Sequence, residues 1–182
     1  MKKIFFRWTT VLIAICIFVI SCTDKLVNGS ASKKLKSGTS TLTVFPIQII
    51  AGTVKSFDNN YSKRLGDFLR EKKIANVVFD LSEPNFNCDV AQLQIANLKD
   101  CAANISKYTI DKKIKTDFAL YIIFSMNTET SGFNGLYYFI VDNVGKIAMI
   151  SSVTPQQEIF TKVNPSGRND GFKLFCLDFN MK

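Results

Sequence analysis

Apolar and polar positions divide this chain into blocks, and the first block ends most abruptly. Val11 to Ile20 are ten unbroken apolar residues, preceded by Lys2, Lys3 and Arg7 and followed at once by Ser21, Cys22, Thr23 and Asp24. As a helix they rise about 15 Å, short of the roughly 20 residues that a bilayer core requires. A positive start, a short apolar middle and a small residue at the end read as a secretory signal peptide over residues 1–21. Residues 23–40, "TDKLVNGSASKKLKSGTS", hold no sustained period, so 22–40 reads as a flexible tether whose Lys33, Lys34 and Lys36 are solvated.

From Thr41 the pattern is that of a folded domain spanning 41–182. "TLTVFPIQII" is β-branched and aromatic and predicts a buried strand, with Pro46 marking an edge position or a bulge. Tyr61, Leu65, Phe68 and Leu69 share one face of a helix that Gly66 weakens. "NVVFDL" at 76–81 predicts a short strand. Ala91, Ile95, Leu98, Ala102 and Ile105 recur at four- and three-residue spacings, which predicts an amphipathic helix over 89–107. "FALYIIFSM" at 118–126 is too apolar to be exposed on either face of a sheet. "GLYYFIVD" and "KIAMISSV" flank Asn143-Val144-Gly145 and predict a hairpin, with Gly145 at positive φ. Thr154, Pro155 and Gln157 predict a helix start with a capping box. In 172–179, Phe172, Phe175, Cys176 and Phe179 suit a helix, whereas the aromatic content favours a strand. This order predicts an α/β domain: a two-layer sandwich with a mixed sheet of five or six strands and about three helices.

Val19-Ile20-Ser21-Cys22 resembles the lipobox of bacterial lipoproteins, with Val where Leu is commoner. The resemblance implies cleavage before Cys22, diacylglycerol on its sulfur and an acyl chain on its new amino group. Two or three chains hold a protein on a membrane durably where one does not. It further implies a cell-envelope location, and Thr23 in place of Asp suits an outer-membrane protein facing the periplasm. The element order of 41–165 is similar to the small domains of envelope proteins such as the TolB amino-terminal domain, the curli-secretion lipoprotein and activators of cell-wall synthases. "TVFPI" and "DFALYIIF" carry that likeness, which transfers no functional residue.

Composition narrows the chemistry. The 182 residues contain no histidine, which removes Ser-His-Asp and Cys-His relays and imidazole zinc sites. Net charge is +8, of which Lys2, Lys3 and Arg7 supply three. The remaining excess does not call for nucleic acid as a partner. Neither a phosphate loop nor a dinucleotide fingerprint is present, and the reading assigns no cofactor and no metal. Acid pairs such as Asp80 with Glu83, or Asp111 with Asp117, read as solvated turns.

Beyond Cys16 and Cys22 the cysteines are Cys88, Cys101 and Cys176. If Cys88 and Cys101 bracket one helix they lie about 20 Å apart, beyond the roughly 7 Å that a disulfide spans. Any bridge would then join Cys176 to Cys88 or Cys101, and free buried thiols are the favoured reading, since free Cys is a normal core residue. Arg168 and Asp170, in the polar loop "NPSGRND", are the candidate ligand or partner contacts. The expectation is a non-enzymatic protein, held on the bilayer by acylated Cys22, that binds another envelope component or itself. The alternatives are a hydrolase or transferase using carboxylates or lysine, and a small-ligand carrier.

Overall fold

The computed structural model describes residues 25–88, 95–130 and 132–180. In chain order the elements are β1 (Lys25–Val27), α1 (Gly29–Lys36), β2 (Thr41–Val44), β3 (Ile47–Ala51), β4 (Val54–Asp58), α2 (Asn59–Glu71) and β5 (Asn76–Phe79). They continue with α3 (Ile95–Lys112), β6 (Phe118–Met126), β7 (Phe133–Asp142), β8 (Ile147–Val153), α4 (Glu158–Val163) and α5 (Arg168–Asn180). The domain is thus α+β, with eight strands in one mixed sheet and five helices among the described residues, against the five or six strands and three helices expected.

The most apolar strand explains the layering. Phe118, Leu120, Ile122 and Phe124 of β6 enter one core cluster, while Ala119, Tyr121 and Ile123 enter the other. Successive side chains of a strand point to opposite faces, so both faces of the sheet are covered. Leu35 of α1, Leu65 and Leu69 of α2, Phe160 of α4, and Leu174 and Phe175 of α5 pack on the first face. Leu98, Cys101, Ala102 and Ile105 of α3 pack on the second. The expected two-layer sandwich is therefore replaced by helices on both sides.

β6, β7 and β8 form an antiparallel meander, and β1 pairs antiparallel with the outer side of β8. On its other side β6 meets β2 and then β3, both parallel to it: Leu42 opposes Phe118, and Gln48 opposes Ile123. The two strands are one line broken at Phe45-Pro46, where proline supplies no ladder N–H. Pro46 thus sits at a break in an interior line, not on an edge strand. Beyond that line β2 pairs parallel with β5, and β3 turns back into β4.

Helix α2 starts because the Asp58 carboxylate accepts from the Asn60 and Tyr61 amides. Ser62 locks it to the sheet: its hydroxyl accepts from Ile47 N at 2.8 Å and donates to the Asp58 carbonyl. Gly66 lets α2 approach β5, since a Cβ there would collide with the Phe79 ring. Its cost in helix propensity is set against that close packing.

The ends of the chain depart most from expectation. Residues 25–40, expected as tether, instead contain β1 and α1; Asn28 caps α1 by accepting from the Ser30 and Ala31 amides, and Leu35 is buried. Residues 172–179 lie within helix α5, the 3.6-residue spacing of Phe172, Phe175, Cys176 and Phe179 having prevailed over aromatic strand preference. Helix α4 begins at Glu158, after Gln157 rather than Thr154; Gln157 makes no capping bond and donates from Nε2 to the Ser152 carbonyl. Cys22 and the start of the helix expected at 89 lie outside the described residues.

Candidate functional site

The two loop residues singled out as contacts sit at the amino-terminus of α5, and each has a partner of its own. Asp170 accepts from Ser166 N at 3.0 Å, from Ser166 Oγ at 3.1 Å and from Lys173 Nζ at 3.0 Å. The Ser166 amide first, and then Lys173, hold its carboxyl at about 2. Arg168 Nη1 lies 3.4 Å from Asp58 Oδ2, the carboxylate that caps α2. Between them Asn169 Oδ1 accepts from Tyr61 OH at 2.8 Å and Arg64 Nη1 at 3.0 Å. The loop therefore fastens α5 to α2.

The cysteine expectation is overturned. Cys88 is bonded to Cys101 with Cα atoms 4.8 Å apart, and Cys176 is the free thiol. The premise that both flank one helix fails because Cys101 lies within α3, under way at Ile95, while Cys88 lies in a segment without regular secondary structure. Asn104 Nδ2 donates to the Asn87 carbonyl at 2.8 Å and holds that segment to α3. Burial pushes the Cys176 thiol up to about 11, which leaves it a poor nucleophile at neutral pH.

The densest polar chemistry lies where sequence reasoning did not look. Asp178 Oδ2 accepts from Tyr138 OH at 2.6 Å, Ser151 Oγ at 2.8 Å and Lys25 Nζ at 3.1 Å. Lys25 Nζ also donates to the Asp178 carbonyl at 3.0 Å. Burial and then the Asp178 charge push the Tyr138 hydroxyl far above its ordinary pKa. Serine, lysine and tyrosine are residue types of acid–base catalysis, but here all three donate to one carboxylate. Tyr138 is 0% and Ser151 1% exposed, so no substrate reaches them. The cluster is a clasp between β1, the sheet and α5. No local motif announces it, because Lys25 and Asp178 are 153 residues apart.

On the α3 face a second polar group crosses the sheet. Gln48, Ile123, Tyr137 and Ser152 are successive cross-strand neighbours, with Ser125 and Gly135 paired in the next row. Gln48 Oε1 is buried with no hydrogen-bond partner. This row can exchange hydrogen bonds but holds no carboxylate and no amine. Of the acids read as lying in solvated turns, Asp80 lies 3.4 Å from Lys112, Asp111 3.0 Å from Lys107 and Asp117 2.6 Å from Lys34. Among the described residues no three His, Cys, Asp or Glu side chains are grouped to hold a metal. No protein family matches this chain, and no curated protein is detectably similar to it.

Proposed function

We propose that the chain is a bacterial lipoprotein, fixed in the cell envelope through acylated Cys22, whose α/β domain is a non-enzymatic binding or assembly module for another envelope component or for itself. The observation that carries this reading is the apolar run Val11 to Ile20 ending in Val19-Ile20-Ser21-Cys22 behind a positive start. The Cys88–Cys101 disulfide supports export, since such bonds persist in oxidising compartments. A buried clasp closed to substrate, acids drawn to separate lysines and the lack of histidine support binding over catalysis. Thr23 after the cysteine favours the periplasmic face of the outer membrane.

The order found in β1 changes how such an anchor works. Only Thr23 and Asp24 separate Cys22 from Lys25, and three residues span about 10 Å at most. An acylated Cys22 therefore holds the domain close against the bilayer, with no long tether. Confinement to that thin layer raises the effective concentration of the domain toward partners in the same layer. Metabolic labelling with palmitate tests the anchor: wild type incorporates label and Cys22→Ala does not. Equal labelling of the two refutes the reading.

A further inference from the structure

We propose that the end of the sheet turned away from the bilayer is a docking surface for an acidic protein partner, a surface whose direction, though not its chemistry, rests on the anchor at Cys22. Lys72, Lys73, Lys113, Lys115 and Lys146 form it around the apolar pair Val144 and Ile110. The parallel pairing of β2, β5 and β6 places their starts together, with Thr41 opposite Asn76 and Leu42 opposite Phe118. The segments leading into β5 and β6 therefore share that end, and they carry Lys72, Lys73, Lys113 and Lys115. Asn143 N donates to the Asp117 carbonyl at 3.2 Å and brings the β7–β8 turn, with Lys146, alongside. Strand β1 runs antiparallel to β8, with Lys25 opposite Ser151 and Val27 opposite Met149, so the chain enters from the other end of the sheet. The nine residues of β6, from Phe118 to Met126, separate the two ends by about 30 Å. That is several Debye lengths of about 8 Å, so a bilayer holding Cys22 does not neutralise these lysines. Their counter-charge has to come from a partner on the far side.

The five lysines are exposed, and among the described residues no ion pair engages them. The neighbouring acids are largely occupied. Asp117 is bound by Lys34, Asp111 by Lys107, and Asp142 accepts from the Val144 and Lys146 amides, which leaves Glu71. Val144 projects from the turn at 71% exposure. Ile110, half-exposed, lies against Gly145, whose positive φ makes the turn. An apolar centre inside a charged rim is the layout of a protein interface. An acidic surface with an apolar residue in its middle complements it, and the opposite charges steer the approach. At about 4.8 Å per strand the face is about 20 Å wide from β5 to β8, a size suited to a transient contact. Nucleic acid fits less well: the cations are lysines with no forked guanidinium among them, and none of the exposed large apolar residues is an aromatic ring on which a base could stack. A second copy also fits less well, because at least eight of the described acids are each engaged by a base of the same chain.

The test uses the full chain in phosphatidylcholine nanodiscs and a pair of fluorescein-labelled peptides of equal glutamate content. One carries leucines at its centre and the other serines. Stopped-flow anisotropy is expected to show tighter binding of the leucine peptide, with an association rate that falls steeply as salt rises toward ~1 M. In the triple variant Lys113→Glu, Lys115→Glu, Lys146→Glu that rate falls by more than about tenfold, while the matching Lys→Arg variant keeps it. Val144→Ser leaves the association rate and speeds dissociation of the leucine peptide about tenfold, the scale of one valine side chain taken out of water. An unchanged melting temperature shows that these exposed changes leave the fold intact. Mixing phosphatidylglycerol into the discs leaves binding at physiological salt unchanged, because the disc lies at the other end of the sheet. Undiminished binding in the triple Glu variant overturns the proposal. Equal binding of the two peptides also overturns it, in favour of a plain polyanion as ligand. So does loss of binding in the anionic discs, which would place the lysines on the bilayer. The Cys22→Ala chain, still held by its apolar run, is expected to bind the peptides identically. The outcome is thereby separated from that of the palmitate experiment.

Discussion

Asp117 shows how much one carboxylate can organise. Its Oδ1 accepts from Lys34 Nζ at 2.6 Å, and its Oδ2 from both Thr41 N and Thr41 Oγ1 at 2.9 Å. Its own amide donates back to Thr41 Oγ1 at 2.9 Å, so the starts of β2 and β6 are stapled together. Lys34 first, then the Thr41 amide and hydroxyl, lower its pKa to about 2 from 3.8. A carboxylate with a depressed folded-state pKa adds stability above its unfolded pKa and loses it as pH falls through the folded value. Half-exposed Lys34 is screened by solvent, so the net contribution is about 1 kcal/mol. Asp117→Asn is expected to lower stability by that amount at pH 7 in urea unfolding. The gap from wild type should close as pH falls from about 4 toward 2. A gap that persists at pH 2 would mean that the charge of Asp117 is not what stabilises.

At the scale of elements, legibility follows how much of each element is buried. The apolar runs of β2, β3, β5, β6, β7 and β8 and the helical periods of α2 and α3 were readable because each buries a repeating stripe. Helix α1 was not, since "GSASKKLK" offers one buried anchor, Leu35, and its stop and start signals resemble those of a linker. Strand β4 was missed because Val54, Lys55 and Ser56 are exposed, leaving no alternation to read. Of the candidate site, Arg168 and Asp170 were found as residues, but their role in fastening α5 to α2 depends on Asp58 across the fold. The disulfide was misassigned through one assumption about where α3 begins. Closing a loop with a sequence separation of 13 stabilises by about 3 kcal/mol. Reductant, or Cys88→Ser with Cys101→Ser, should therefore lower the urea midpoint by that energy divided by the m-value, about 1–3 M at about 1–3 kcal/mol/M. Cys176→Ser should leave the reductant effect intact; its disappearance in that variant would show that the bridge runs through Cys176.

For the molecule as a whole, the Asp178 clasp decides whether the amino-terminal strand stays with the domain. Strand β1 is three residues long and pairs with β8 alone, too little to hold itself. Lys25 ties it to α5 with its side chain 8% exposed, opposite an Asp178 side chain 15% exposed. Removing one member of a buried pair leaves the other charge unpaired, at about 3–5 kcal/mol, whereas replacing both costs much less. Asp178→Ala also leaves Tyr138 and Ser151 without their acceptor, so the expected loss lies at the upper end of that range. In a double-mutant cycle, Asp178→Asn should cost markedly less in a Lys25→Met background than in the wild type, with a coupling of about 1–3 kcal/mol. Amide hydrogen exchange at Val27 should accelerate in Asp178→Ala before the β6 amides respond, because local opening of β1 requires no global unfolding. With β1 released, a chain held at Cys22 would gain only the length of residues 25–28 as slack, because buried Leu35 and the Lys34–Asp117 pair still hold α1. Additive costs in the cycle, or exchange at Val27 that changes only together with β6, would show instead that β1 is held by something other than the clasp.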